Sequence, residues 1–494
     1  MFLPILLWTD ALVFLLIAVA GAFAFHASRH EHLRAPWRRV LRSPAAMSSA
    51  VVLAAFLLVG ILDSLHFRPA IAVGTESQMA ARLKGGMSAQ AWAPEVKSAL
   101  DVLLERMATR KERTYSAPLA THAFSKETME LPGGGQSREF PRLKFGGAHL
   151  TDPADDWSGD ILRILLRGVA LALVIWCALT AVLLVAVRPN KTLNIGEFAD
   201  ATWKGNTDVP WRAVLVTLGV LLLVAVPAWH LSANYHVLGT DKVGQDVLYL
   251  SLKSIRTALV IGTLTTLIML PFAVLLGMMA GFFRGWVDDL IQYAYTTLNS
   301  IPGVLLIAAS VLVLQVQMEA RPELFPTAAQ RADFRLLFLC LILGVTSWTG
   351  LCRLLRGETL KLRELDYVQA ARAFGVSKWR IMMRHILPNV MHVILISVVM
   401  DFSGLVLAEA VLSYVGVGVD PTMISYGTMI NAARLEMGRE PMVWWSLASA
   451  FGFMLLVVLS ANLFSDAVRD AFDPRVSVVP RKTRFVLRSQ RAGN

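Results

Sequence analysis

Charge is what this sequence has least of. Only 17% of its 494 residues are Asp, Glu, Lys or Arg, against about 25% in an average soluble domain, while 55% are hydrophobic and the mean hydropathy is +0.55. That balance excludes an ordinary soluble enzyme. Apolar runs of the ~20 residues needed to cross a bilayer recur along the chain, so it is a polytopic membrane protein. Cysteine is scarce too. Cys177, Cys340 and Cys352 lie in or beside apolar runs, and no pair has C-x-x-C spacing, so neither a zinc site nor a disulfide is expected. No G-x-x-x-x-G-K-[ST] stretch occurs, so the chain lacks the backbone cradle and lysine that hold ATP phosphates. No nucleophile constellation stands out, and no catalytic residue is expected. His26, His30 and His32 form the only local histidine cluster. They sit in a basic segment without an arranged acid pair and read as solvated side chains, not metal ligands.

The net charge of +11 would point to nucleic acid in a soluble protein. Here Lys and Arg collect in short segments between apolar runs, and the positive-inside rule accounts for them. Membrane lipid is the expected contact, with no nucleic acid. Nine spans are expected, at about 3–25, 46–66, 161–187, 212–231, 257–281, 301–317, 334–354, 389–417 and 444–464. Arg29, Arg34, Arg38, Arg39 and Arg42 follow the first run and nothing basic precedes it, so it is a retained span with the N-terminus outside. Asp10, near its outer end, is expected to reach headgroups. Residues 67–160 are polar and form an extracytoplasmic insertion of mixed α/β character. Val96, Leu100, Leu103, Leu104 and Met107 predict an amphipathic helix over 94–112, and Glu139 to Phe145 a strand. Gly277, Gly281 and Gly285 allow close helix approach.

The chain is organised around residues 364–388, a charged interruption between two apolar spans. Its first half predicts a helix ending at Phe374, Gly375 a turn, and Val376 to Ile386 a second helix running to Pro388. A long loop that lipid cannot bury commonly carries a role of its own, and this one is either a docking element for a soluble partner or a basic linker. In the following span, Asp401 and Glu409 lie eight residues apart on roughly one helical face, which fits a proton relay, a pore face or hydrogen-bonded packing.

Ala370-Ala371, with Gly375 four residues on and then Leu387-Pro388, resembles the EAA loop of ABC importer permeases. The longer strings from Asp366 to Gly375 and from Arg384 to Asn389 resemble the oligopeptide/dipeptide/nickel branch. Further signatures follow in that family's order: Gly239-Thr240-Asp241 with Gly244 and Asp246, Gly285 to Asp288, Ser300 to Pro302, Glu409 with Leu412-Ser413 and Val415 to Gly418, then Asp466, Arg469-Asp470 and Asp473 to Arg475. The resemblance covers about 232–476 and is nearest to the C-type subunit. Gln369 stands where the family has Glu, Gln245 where the branch has Arg, and His385, usual in the branch, where the general pattern has Ile.

The resemblance implies a type I ABC importer transmembrane core within an all-α membrane protein of about nine spans. The domains would be 1–66 (two spans with a basic loop), 67–160 (the insertion), 161–231 (two further spans), 232–476 (the permease core, coupling loop 355–388) and 477–494 (a basic cytoplasmic tail). It assigns ATPase coupling to Leu365, Asp366, Tyr367, Gln369, Ala370, Ala371, Gly375, His385, Leu387 and Pro388, pore or packing roles to Asp401 and Glu409, and binding-protein docking to Gly239, Thr240, Asp241 and Asp246. Implied partners are a paralogous permease subunit forming a heterodimer, two ATPase subunits that bind ATP and Mg, and an extracytoplasmic substrate-binding protein. No cofactor belongs to this chain itself. The expected place is a bacterial inner membrane with the C-terminus cytoplasmic, and the expected cargo is peptides. Nickel or another small solute, a membrane sensor and a proton-coupled transporter are the alternatives.

Overall fold

The structure, a computed structural model, describes residues 2–29, 31–70, 93, 95–130, 136–187, 195–325 and 327–472. The expected tail 477–494, Gly133 to Gly135, His30 and the Asp473 to Arg475 signature lie outside the described residues, as do the side chains of His26 and His32. In chain order the elements are β1 (Phe2–Ile5), α1 (Trp8–Arg29), α2 (Glu31–Val40), α3 (Pro44–Ser64), β2 (His66–Pro69), β3 (Lys97–Ser98), α4 (Ala99–Leu103), α5 (Glu105–Thr109), β4 (Glu127–Glu130), β5 (Gln136–Glu139), α6 (Pro153–Val187), α7 (Ile195–Trp203), α8 (Trp211–Leu231), α9 (Val247–Phe283), α10 (Trp286–Ser300), α11 (Gly303–Ala320), a 3₁₀ turn (Pro322–Leu324), α12 (Ala328–Arg363), α13 (Asp366–Ala373), α14 (Lys378–Ile381), a π-helical turn (Met382–Ile386), α15 (Leu387–Tyr414), α16 (Tyr426–Glu436) and α17 (Trp445–Phe472). Among the described residues, eight segments are long and apolar enough to cross a membrane, one of them the run Lys378–Tyr414 through α14, the π turn and α15. The first expected span differs. Residues 2–5 are a strand, and the apolar part of α1 is Trp8–Ala22, short of the usual ~20 residues.

The chain divides into two compact units, one of residues 1–22, 57–105 and 250–438, the other of residues 23–56, 106–249 and 439–494. In the first, β1, β2 and β3 form an antiparallel sheet in that order, with Phe2 opposite Pro69 and His66 opposite Ser98. The helix expected over 94–112 starts only at Ala99, because Lys97 and Ser98 pair as a strand. Ser98 and Asp101 then close a capping box, Ser98 N donating to Asp101 at 2.9 Å and Asp101 N to Ser98 Oγ at 3.1 Å. Leu100, Leu104 and Met107 are buried at the expected spacing, whereas Leu103 is exposed.

Hydrocarbon gives apolar helices little reason to associate, so tight packing must supply the attraction. α9 and α12 achieve it at two glycines. A Cβ on Gly277 would lie 2.8 Å from the Cys352 carbonyl oxygen, and one on Gly281 2.6 Å from Thr359 Cβ. Gly285 serves otherwise: a Cβ there would meet open space, but its φ is +61° and Arg284 before it is at +55°. This left-handed pair turns the chain into α10. That helix is amphipathic and buries Asp288, Ile291 and Tyr295.

Asp10 corrects another expectation. It is fully buried, not at headgroups, and its Oδ1 accepts from Arg256 Nη2 at 2.6 Å and Nε at 3.2 Å, while His66 Nδ1 lies 2.8 Å from its Oδ2. Thr9 extends the network. Its backbone N–H and its hydroxyl both donate to Asp333, and the hydroxyl also accepts from Arg256 Nη2 at 3.1 Å. The cation that allows Asp10 to be buried lies 246 residues away, beyond the reach of any local pattern.

In the second unit α6 packs on α8. A Cβ on Gly168 would meet Pro227 Cα at 2.7 Å, and Trp176 Nε1 donates to the Leu215 carbonyl at 2.8 Å. The Trp37 ring of α2 meets Phe472 of α17 edge-on at 5.6 Å, over a small core of Val40, Ala46, Val468 and Ala471. The strand expected over Glu139 to Phe145 lies earlier, and Glu139 is its last residue. β5 pairs with β4, Glu139 opposite Glu127, and Pro141 two residues later has no N–H to extend the ladder.

Candidate functional site

Helices α13 and α14 form a bracket with one buried and one exposed side. Val368, Ile381, Met382 and Ile386 are buried in a core with Phe282, Leu351 and Leu355 of α9 and α12. Gly375, at φ +72°, makes the bend between the helices. The second helix begins at Lys378, after Ser377, later than Val376, and does not stop at Pro388. It widens into the π turn and continues as α15, and a local widening of this kind is how a helix accommodates a proline such as Pro388, which has no N–H to give the preceding turn.

The outer side carries Leu365, Asp366, Tyr367, Gln369, Ala370, Gly375 and Pro388, all exposed, while Ala371, His385 and Leu387 are half-buried. Sequence reasoning missed the largest apolar group here: Phe374 is 87% exposed, beside Trp379 at 55%. The signal for them is two aromatics flanking the glycine of a polar loop. Tyr367 and His385 lie ring to ring at 6.2 Å, and Asn389 Nδ2 donates to Tyr367 Oη at 3.2 Å and to the His385 carbonyl at 2.6 Å.

The glutamine at 369 has a local reason. Its Nε2 donates to the Glu364 carbonyl at 3.2 Å, at the end of α12, and lies 3.5 Å from Glu364 Oε2. A glutamate could not donate and would face a second carboxylate. Glu364 itself pairs with Arg284 at 2.9 Å. Beneath, Arg356 grips Asp288 through Nε at 2.6 Å and Nη2 at 2.8 Å, a bidentate bond that holds the Asp288 carboxyl below its usual pKa.

Asp401 and Glu409 are not joined by any hydrogen bond among the described residues. Asp401 is half-buried. Glu409 is 1% exposed, and its Oε1 accepts from Ser413 at 2.7 Å and Ser425 at 2.9 Å. A Cβ on Gly427 would lie 3.0 Å from that same oxygen. This is the geometry of a carboxyl tying the start of α16 to the end of α15.

In the Gly239–Asp246 turn the expected docking residues are mostly architectural. Gly239 has φ +73°, and a Cβ there would sit 2.4 Å from the Ser116 carbonyl oxygen. Thr240 and Asp246 are buried. Asp246 Oδ1 caps α9 by accepting from Leu248 N at 2.9 Å, and Asp241 Oδ1 accepts from Val243 N and Gln245 N at 2.9 and 2.7 Å. Lys242 and Val243 are the exposed members.

Residues 273–478 match the family described as binding-protein-dependent transport system inner membrane component. An oligopeptide transport system permease protein of Mycobacterium bovis is 30% identical over 282 residues, covering 53% of this chain and 90% of the relative. A glutathione transport system permease protein of Pectobacterium atrosepticum is 31% identical over 299 residues, covering 54% and 92%. A dipeptide transport system permease protein of Lactococcus lactis is 30% identical over 298 residues, covering 59% and 78%.

The chain belongs to this permease family. It is a permease subunit of an ABC importer and a multi-pass inner-membrane protein, of a kind that works with ATPase subunits and substrate-binding proteins. The family match takes in the α13–α14 bracket and Glu409, and leaves α1 to α8 of this permease outside it.

One feature of the permease outside that match is a buried acid–base cluster. His236 Nδ1 lies 2.8 Å from Asp246 Oδ2, and its Nε2 is 3.5 Å from Glu112 Oε1, an ion-pair distance without hydrogen-bond geometry. Glu112 accepts from the backbone N–H groups of Lys144, Phe145 and Gly146 at 2.9, 2.8 and 3.3 Å. Burial by itself would lower the His236 pKa, but Asp246 and Glu112 hold it up at about 9, above its ordinary 6.5. Burial would raise Glu112, but His236 and the three amides hold it down at about 2, below its ordinary 4.5.

The signs follow. The His236 contribution is complete below pH 6.5 and is lost as pH rises through about 9, whereas the Glu112 contribution is complete above pH 4.5 and is lost as pH falls through about 2. Amide-exchange protection at Lys144 to Gly146, corrected for intrinsic rates, is therefore expected to be greatest between those two ordinary values and to decline toward pH 9. A profile flat from pH 6 to 10 contradicts the linkage.

Proposed function

We propose that this chain forms half of the translocation pore of an ATP-driven peptide importer and takes its energy through the α13–α14 bracket. The observation that carries this is the bracket itself. Its inner face is fixed to α9 and α12 through Val368, Ile381, Met382 and Ile386, while Phe374, Trp379 and Tyr367 stand exposed. An apolar tip on a polar loop fits a groove in a soluble partner. ATP-driven closure of two ATPase subunits, which bind ATP and Mg, would press on this tip, and α12 and α15, continuous with the bracket, would carry the movement into the pore.

Peptides are supported by the oligopeptide, dipeptide and glutathione names of the relatives. The other half of the pore would be a paralogous permease, and cargo would arrive on an extracytoplasmic binding protein. The bracket and the C-terminus would be cytoplasmic and the N-terminus outside. Pairing of β1 with β2 supports that orientation, since it brings residues 2–5 to the chain just beyond the end of α3.

The test is to purify the intact complex, identify its subunits and the ligand of the binding protein, and measure tripeptide uptake in proteoliposomes. ATPase subunits should co-purify, and uptake should need ATP and survive a protonophore. Uptake that survives ATP depletion but collapses with the proton gradient refutes the reading.

A further inference from the structure

Helix α2 carries Arg34, Arg38 and Arg39, and Arg42 stands just past its end. One side of the helix is taken up by packing. Val40 is buried beside Ala46, Val468 and Ala471, and Trp37 lies against Phe472. Arg39 Nη1 donates at 3.4 Å to the carbonyl of Ala471, in the last turn of α17, where helix carbonyls lack intrahelical partners. The winding of α2 continues beyond Val40, since Leu41 N donates to the Trp37 carbonyl at 3.0 Å and Arg42 N to the Arg39 carbonyl at 3.1 Å. Arg34, Arg38 and Arg42, each four residues from the next, therefore form a stripe, and all three are exposed.

The protein does not neutralise this stripe. Among the described residues, the only carboxylate in ion-pair range of its arginines is Asp208, 4.0 Å from Arg42, and both of those side chains are more than half exposed. Such a pair contributes little in water. Holding a loop on one side of the membrane needs positive charge but no particular arrangement of it. Here the arginines are aligned on the side of α2 that packing leaves free.

The adjoining span fixes their depth. α3 has 21 residues and is one of the membrane-crossing helices. At ~1.5 Å per residue it is about 31 Å long, which the ~30 Å hydrocarbon core uses in full. Pro44, its first residue, thus stands at the core boundary, and Arg42 and Arg38 precede it by two and six residues. That is the level of the lipid phosphates. The planar fork of a guanidinium matches two oxygens of one phosphate, and a basic stripe on an interfacial helix favours anionic over zwitterionic headgroups.

We propose that Arg34, Arg38 and Arg42 form a binding site for the phosphate of an anionic phospholipid. The site needs only the membrane setting of the chain and is independent of what the permease carries.

The experiment uses the intact purified complex, equilibrated with mixed phosphatidylglycerol and phosphatidylcholine and then observed by native mass spectrometry. The readout is the enrichment of retained phosphatidylglycerol over phosphatidylcholine. Wild type should be enriched at low salt and lose the enrichment at high salt. Arg34→Gln/Arg38→Gln should reduce the enrichment by about tenfold or more, and Arg38→Gln alone by less. Lys126→Gln/Arg138→Gln, which removes the same charge from exposed positions of the insertion, should leave it unchanged. Equal enrichment in wild type and both α2 variants overturns the proposal, as does an equal loss in the insertion variant, which would make net charge the cause. Competition by inorganic phosphate that chloride at the same ionic strength does not reproduce would assign the stripe to a free anion and refute the lipid. An α2 double variant that loses its ATPase subunits but keeps its phosphatidylglycerol would assign the stripe to an acidic protein face, and refutes it too.

Discussion

Gly375→Asp is expected to abolish ATP-coupled uptake while leaving the protein inserted and assembled in the membrane. The backbone at Gly375 has φ +72°, and a Cβ there would meet nothing within 4 Å, so the substitution costs roughly 1–2 kcal/mol of local strain without a clash to unfold the chain. What it adds is a carboxylate beside Phe374, at the tip of the exposed apolar face. Burying that charge in a partner groove without a counter-ion costs several kcal/mol, enough to reduce uptake a hundredfold or more. Phe374→Ala separates the two contributions. It keeps Gly375 and removes the ring alone, and should cost about 2 kcal/mol or more of docking energy, read as a tenfold or larger loss of uptake per ATP hydrolysed. Reconstituted proteoliposomes carrying both variants decide the matter, and wild-type coupling in both would rule out α13–α14 as the energy input.

Arg256→Met should be the most destabilising single change in this permease. It leaves Asp10, which is fully buried, and Asp333, 1% exposed, without their shared guanidinium. Breaking one side of a buried ion pair costs about 3–5 kcal/mol, mostly because the remaining charge stays desolvated. His66, 2.8 Å from Asp10, relieves part of this. The check is a double-mutant cycle on thermal stability of the purified complex. Asp10→Asn should destabilise wild type yet cost little, or even help, in the Arg256→Met background, with a coupling energy on the order of 1 kcal/mol or more. Strictly additive losses would mean that the network holds little stability.

The bracket at residues 364–388 is legible in the sequence because its signals are local: a charged gap between apolar runs, small residues at 370 and 371, and a glycine at the bend. The glycines at 277 and 281 are legible for the same reason. Gly285 is not, because a missing side chain can serve close approach or positive φ, and sequence does not distinguish the two. Thr240 and Asp246 illustrate the same limit, since Thr240 is held by Ser116, 124 residues away, and the His236 that pairs with Asp246 also faces Glu112 from the distant insertion.

Bilayer thickness and helix periodicity are imprinted on every span, so a helical membrane protein with an importer-type loop can be read from the order of its residues alone. The folded chain was needed to show that Asp10 is held by Arg256 and not by headgroups, that Gln369 serves the end of α12, and that the insertion is welded to the turn before α9. Each of these depends on a contact that no run of residues spells out, and the cost of burying a charge or an unpaired polar group is met only when the fold brings a partner within hydrogen-bonding distance.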